Sequence, residues 1–165
     1  MSFQRRPMTP FGLRRLKEEL RQLREVDKPA NVRAIEEARA HGDLSENAEF
    51  KYAKEQQSFI AGREKELETV ISAAEVIDPA TLSGDRVVFG ATVQLMDTET
   101  EEEFTYTIVG DVESDAAKGR ISISSPIARG LIGHTEGDVC TIKTPKSIRK
   151  LEVLEVSFES CESWD

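Results

Sequence analysis

Leu13, Leu16, Leu20 and Leu23 recur at spacings of three and four residues, which lays a narrow apolar stripe along one helix face. Thr9-Pro10 ahead of them suits a helix start, because Thr can cap the first turn and Pro sits where no amide hydrogen is required. Val26 extends the stripe. Pro29 predicts a kink or local break, after which Val32, Ile35 and Ala38 resume the pattern. Gly42 suits a left-handed helix end. A second stripe spans about residues 45–76, where Ala53, Ile60, Leu67 and Ala74 fall seven apart, flanked by Phe59, Arg63 and Val70. Two such stripes joined by a turn of three or four residues predict an antiparallel helical hairpin. With some 30 residues per arm at about 1.5 Å each, the rod is roughly 45 Å long. So thin a rod has little interior, and its far end is mostly exposed.

Beyond Asp78 the period changes. Residues 78–85 concentrate Pro, Thr, Ser and Gly and read as a linker. Residues 86–89, 91–97 and 103–109 alternate as strands, the last two joined by the acidic turn TETE. Residues 120–124 form another strand. Ser125-Pro126 opens a short helix closed by Gly133, with Ile127 and Leu131 facing the sheet. Residues 139–143 and 151–158 supply two more strands. One short helix against an antiparallel sheet is a small α+β domain. The expected partition is a helical arm at 1–78, a linker at 79–85, a sheet domain at 86–158 and a frayed tail at 159–165.

Charge refines this picture. The net charge of −9 is uneven: residues 1–80 carry −1 and residues 81–165 carry −8. Residues 5–33 hold nine basic side chains against Glu18, Glu19, Glu25 and Asp27. Acidity across the chain argues against duplex DNA as the main partner, while a local basic stripe can still meet a phosphate backbone. A run of roughly 18 apolar residues is lacking, so no membrane span is expected. The start MSFQRRPMTPFG has no apolar signal core, and Cys140 and Cys161 form no metal-binding spacing. The expected location is the cytoplasm.

The expected bend carries the unusual chemistry. HGDLSENAEF (residues 41–50) crowds Asp43, Glu46 and Glu49 into ten residues where they repel one another and bury nothing. One reading is a capping box, with Asp43 as cap and Glu46 at the third helical position; Ser45 could cap as well. Glu49 suits the first turn of the second arm and His41 the end of the first.

The segments EARAHGDLSENAEF, REKELE, VIDPATL, VVFGATV and SPIARGLIG, in this order and spacing, resemble the Gre family of bacterial transcript-cleavage factors, its GreA branch more closely than its GreB branch. The resemblance covers roughly residues 8–156. It implies an α+β chain, with an N-terminal antiparallel coiled coil followed by an FKBP-like domain. The implied partner is bacterial RNA polymerase, entered through its secondary channel while backtracked, with the nascent RNA 3′ end as the target. The factor is then a monomeric, non-enzymatic accessory that stimulates the polymerase's own cleavage. Asp43 and Glu46 match the family's acidic pair, and would help hold a weakly bound second Mg²⁺ in the polymerase active site; the chain binds no cofactor tightly itself. Phosphodiester hydrolysis with two metals needs such a second site, and Mg²⁺ is bound through one or two carboxylates plus phosphate. Asn47 and Ser45 would support the pair. Ser124, Ser125 and Pro126 match the segment that grips the channel rim. Arg33, Arg39, Lys51 and Lys54 are candidates to line the RNA path, or else are solvated partners of Glu37 and Glu55. Ser45 stands where relatives often carry Lys, and Phe50 where Tyr is frequent. The extension MSFQRRP and the Trp-bearing tail fall outside the family pattern.

Two further classes compete. A prolyl isomerase would need an aromatic-lined pocket built from residues such as Phe89, Phe104, Tyr106, Phe158 and Trp164. An adaptor that blocks the channel would need no acidic pair.

Overall fold

In the computed structural model, which describes residues 4–42 and 47–165, the first stripe forms a helical arm with a wider turn in its middle. Helix α1 (Pro10–Gln22) passes into a π-helical stretch, Leu23–Asp27, and then into α2 (Lys28–Ala40). Pro29 has no amide hydrogen for the carbonyl one turn back, so the regular ladder cannot continue through it. The chain makes a longer-range bond instead: Lys28 N–H donates to the Leu23 carbonyl. The wider turn also rotates the stripe. Val26 and Val32, both expected on it, are 46% exposed, and Asn31 is buried with Leu23, Ile35 and Ala38.

The second arm, α3 (Ala48–Ser72), is shorter at both ends than the stripe suggested. Its buried residues are Ala53, Ile60 and Leu67, as the seven-residue spacing predicted. Polar bonds cross between the arms. Asn31 Nδ2 donates to the Ala53 carbonyl at 2.9 Å. Arg63 grips Glu19 through two bonds of 2.8 and 2.9 Å, and Arg24 pairs with Glu64 and Glu68.

The chain divides into two compact units, Arg14–Ala73 and the pair of segments Met1–Leu13 and Ala74–Asp165. The linear partition read from composition differs from this division, because pairing joins the first residues to the later ones. Strand β1 (Arg6–Met8) lies parallel to β2 (Ala74–Val76), and Ile77 N–H donates to the Met8 carbonyl at 2.8 Å. Thr9 is fully buried beside Glu113, whose carboxylate accepts from Thr9 N at 3.0 Å, from the Thr9 hydroxyl and from Gly110 N at 2.9 Å. The last two residues of the extension, Arg6 and Pro7, therefore belong to a structural strand.

The main sheet runs β5-β4-β3-β7-β6. Its strands are β3 (Thr92–Asp97), β4 (Glu103–Val109), β5 (Arg120–Ser122), β6 (Val139–Lys143) and β7 (Ile148–Ser157), with helix α4 (Pro126–Leu131) between β5 and β6 in sequence. Three pairings are antiparallel as expected, but β4 and β5 are parallel. Between them the chain makes two short 3-10 turns, Asp111–Glu113 and Ala116–Lys118, which give it room to return in the same direction. The strand expected at 86–89 is absent: Arg86 makes a lone bridge to Thr135, and the chain then turns at Gly90, whose φ is +87°. Val93, Leu95, Ile108, Leu131, Leu151 and Val153 form the core at 0% exposure.

The tail is packed rather than frayed. Trp164 meets the Phe11 ring edge-on at 5.6 Å, and the Arg120 guanidinium lies 4.4 Å from the Trp164 ring centre. Cys161 and Cys140 are both buried and unpaired.

Candidate functional site

The hairpin turn is built from the ends of α2 and α3. His41 closes α2 with its backbone N–H on the Ala38 carbonyl at 3.2 Å, and Gly42 follows at φ +105°, the left-handed conformation predicted for it. Asp43, Ser45 and Glu46 lie outside the described residues. Asn47 begins the second arm in an extended conformation, φ −85° and ψ 99°, and its Oδ1 accepts from Phe50 N at 3.1 Å. Its Nδ2 donates across the turn to the Ala38 carbonyl at 2.7 Å. One side chain thus satisfies a free amide of α3 and adds a second donor to the Ala38 carbonyl of α2, which His41 N–H also reaches.

The capping-box reading of Asp43 and Glu46 falls outside the described residues. Within them, α3 starts at Ala48 and is capped by Asn47. Glu49 sits in the first turn, as expected. The described bonds of Asn47 go to the backbones of both arms. Asn is also a strong cap, and that signal was available in the sequence.

The four basic candidates are exposed. Arg39 lies 5.9 Å from the Phe50 ring centre, and Lys54 Nζ donates to Gln57 at 2.8 Å. Among the described residues, none of Arg33, Arg39, Lys51 and Lys54 forms an ion pair with Glu37 or Glu55.

The second candidate surface belongs to the sheet unit. Ser125 caps α4, its Oγ accepting from Ala128 N at 3.2 Å, and Pro126 takes the first helical position, where it is exposed. Ser124 Oγ donates to Asp111 Oδ1 at 2.7 Å, and the Ser122 hydroxyl donates to the same oxygen. These hydroxyls hold the Asp111 carboxyl below the usual aspartate range, Ser122 first, with Arg6 and Arg129 adding favourable charge. Asp111, Ser122 and Arg6 escaped the sequence reading, since nothing local ties residue 6 or 111 to residue 124.

No cluster of three or more His, Cys, Asp or Glu side chains suited to a metal occurs among the described residues, nor any helix long and apolar enough to cross a membrane. The aromatics that an isomerase pocket would need are spent on packing: Phe89 is buried, and Phe104, Tyr106 and Phe158 lie against the core.

Comparison with known proteins matches both halves of the chain. Residues 6–76 fit the family described as transcription elongation factor, N-terminal, and residues 82–158 fit transcription elongation factor, GreA/GreB, C-terminal. Transcription elongation factor GreA of Jannaschia sp. (strain CCS1) is 58% identical over 152 residues, covering 92% of this chain and 97% of that one. GreA of Acidiphilium cryptum (strain JF-5) is 56% identical over 155 residues, covering 94% and 99%. Among solved structures, the GreA factor homolog Gfh1 of Thermus thermophilus aligns over 93% of this chain and 99% of its own at 26% identity, with a TM-score of 0.42. On the two matched halves and on relatives more than half identical along most of its length, this chain belongs to the GreA/GreB family of transcription elongation factors.

Proposed function

We propose that this elongation factor is an accessory of bacterial RNA polymerase whose hairpin enters the secondary channel of a backtracked complex. There Asp43 and Glu46 stimulate the polymerase's own cleavage of the RNA 3′ end. The observation that carries this reading is the cap at Asn47. With α3 started and capped without them, the two acids are not needed to begin the helix. Crowded like charge at a bend has a use when a cation is supplied from outside.

Two carboxylates are the oxygen donors that Mg²⁺ prefers, and one or two from a protein suffice when phosphate oxygens fill other positions. Asp43 and Glu46 would hold the ion; bound there, it supplies the charge neutralisation that phosphodiester hydrolysis requires. Asn47 ties the two arms together at the base of the turn, so the acids are presented from a fixed platform. Arg33, Arg39, Lys51 and Lys54 are exposed cations suited to the RNA phosphates. The exposed Ser124 and Pro126, on either side of the half-buried cap Ser125, form a helix start suited to docking at the channel rim.

The test is the double variant Asp43→Asn with Glu46→Gln in a stalled elongation complex. Stimulated cleavage is expected to fall on the order of a hundredfold or more, since metal-assisted charge stabilisation is worth several kcal/mol and about 1.4 kcal/mol is tenfold in rate. Competition binding to polymerase is expected to persist. A variant that binds and cleaves at the parental rate would show that the acids do no metal work. Parental protein that only slows nucleotide addition would establish the blocking adaptor instead.

A further inference from the structure

Near its turn the hairpin holds a groove of about 520 Å³ between α2 and α3, with Leu23, Ala38, Ala53 and Ile60 in its lining and Tyr52 and Phe59 on α3. The exposed basic candidates Arg33, Arg39, Lys51 and Lys54 do not line it. Tyr52 is 63% exposed and Phe59 is 65% exposed. Seven residues apart on one helix, they stand roughly 10 Å from each other on the same side. Two large aromatic surfaces left in water beside an apolar trough mark a place where something docks.

Charge narrows the occupant. Asp27, Glu37 and Glu49 line the groove, and among the described residues no Lys or Arg does. A phosphate backbone laid there would meet three carboxylates, which argues against RNA. A second copy of this chain would bring the same three acids to face them, which argues against self-pairing. Ala30 and Ala34, one turn apart on α2, leave room for a backbone to approach closely. A helix with an apolar stripe and basic flanks satisfies every element: the trough, the aromatic anchors and the acids.

We propose that this groove binds a helix of RNA polymerase whose apolar stripe is flanked by Lys or Arg, an assignment that rests on the channel-entry reading above. The hairpin then does more than reach the RNA. The groove is held by the polymerase wall, while the basic candidates, which do not line it, are left for the transcript.

The experiment uses the full chain and a stalled polymerase complex. A photo-reactive benzoylphenylalanine replaces Phe59, and the double variant Tyr52→Ser with Phe59→Ser is titrated in the cleavage assay after its helical circular dichroism is matched to the parent. Both side chains are largely exposed, so the serines remove little from the hairpin's own packing. The expected crosslink is to a helical polymerase segment bearing Lys or Arg beside apolar residues. The double variant is expected to need on the order of tenfold more protein for half-maximal cleavage, the loss of a pair of aromatic anchors. Crosslinking to RNA or to a second copy overturns the assignment. So does a cleaving complex with no polymerase crosslink, or a double variant that titrates like the parent. Failure of the parent to stimulate any cleavage would instead remove the channel-entry reading itself.

Discussion

Leu95 and Leu67 are equally sheltered, at 0 and 1% exposure, but by different things. Leu95 lies in the middle of a five-stranded sheet, paired with Phe104 on one side and Val153 on the other, within a cluster of twelve buried residues. Leu67 lies in a single seam between two helices. What the hairpin lacks in depth it replaces with polar bonds between arms: Asn31 to Ala53, Asn47 to Ala38, Arg63 to Glu19. A core spread over many strands tolerates the loss of one polar contact. A two-helix seam depends on each, and in exchange it leaves its long faces free for a partner.

The largest expected effect tests an exception inside the sheet unit, where a polar group does carry weight. Glu113 is 2% exposed and accepts from three donors. Glu113→Ala leaves those donors buried without acceptors, at about 1–3 kcal/mol for each group left unsatisfied. The expected fall in melting temperature is on the order of 10 °C or more. Trp164, the one tryptophan, packs in the same unit and reports this transition by fluorescence. A loss below about 2 °C would show that the Thr9–Glu113 link does not bind the first residues to the sheet unit.

A smaller effect is expected at the hairpin turn. Asn47→Ala removes both the cap of α3 and the bond to Ala38, a loss of about 1–2 kcal/mol. Helical circular dichroism is expected to show melting lowered by about 5 °C, with the Trp164 transition unmoved. Asn47→Asp keeps the capping oxygen and loses the donor to Ala38, so it separates the two contributions. Equal shifts in both probes would mean that the units melt as one and the contrast drawn here does not hold.

The smallest effect is a difference in acid sensitivity. Asp97, Asp111 and Asp138 all have carboxyls held below the usual range. The chief causes are the Glu99 amide, the Ser122 hydroxyl and the Thr135 amide respectively. A depressed folded-state pKa contributes stability that is complete above the ordinary aspartate value of about 3.9 and is lost as pH falls through the folded values. All three lie in the sheet unit. In the hairpin, Glu18 is lowered by Arg21, but that pair is exposed and worth little. Asp111 and Asp138 are discounted for exposure in the same way, so the buried Asp97 carries most of the difference. Between pH 6 and 3 the Trp164 transition should therefore weaken more than the helical one. The opposite order would sink this account of the charges.

Much of the architecture could be read because its causes are local. The seven-residue spacing of Ala53, Ile60 and Leu67 named the buried face of α3, and Ser125-Pro126 named the start of α4. Strands β4 and β6 began and ended where alternation placed them. The misses share one feature. Val26 and Val32 look apolar in sequence, yet the extra-wide turn before Pro29 rotates them outward and brings Asn31 in. The tail looked unpatterned because its partners, Phe11 and Arg120, are remote along the chain.

By itself, then, the sequence determined the hairpin, most strands, the short helix, the acidic turn and the family resemblance, all of which depend on periodicity, caps and motifs written within a few residues of one another. Only the tertiary structure decided that β1 belongs with β2, that β5 runs parallel to β4, and that Asp111 joins Ser122 and Ser124. It alone also set tyrosine, phenylalanine and three carboxylates around one groove on the hairpin. Those pairings are chosen by which distant groups can bury apolar area and satisfy each other's hydrogen bonds at once. No window of residues records that choice, because the free energy is released only when the segments meet.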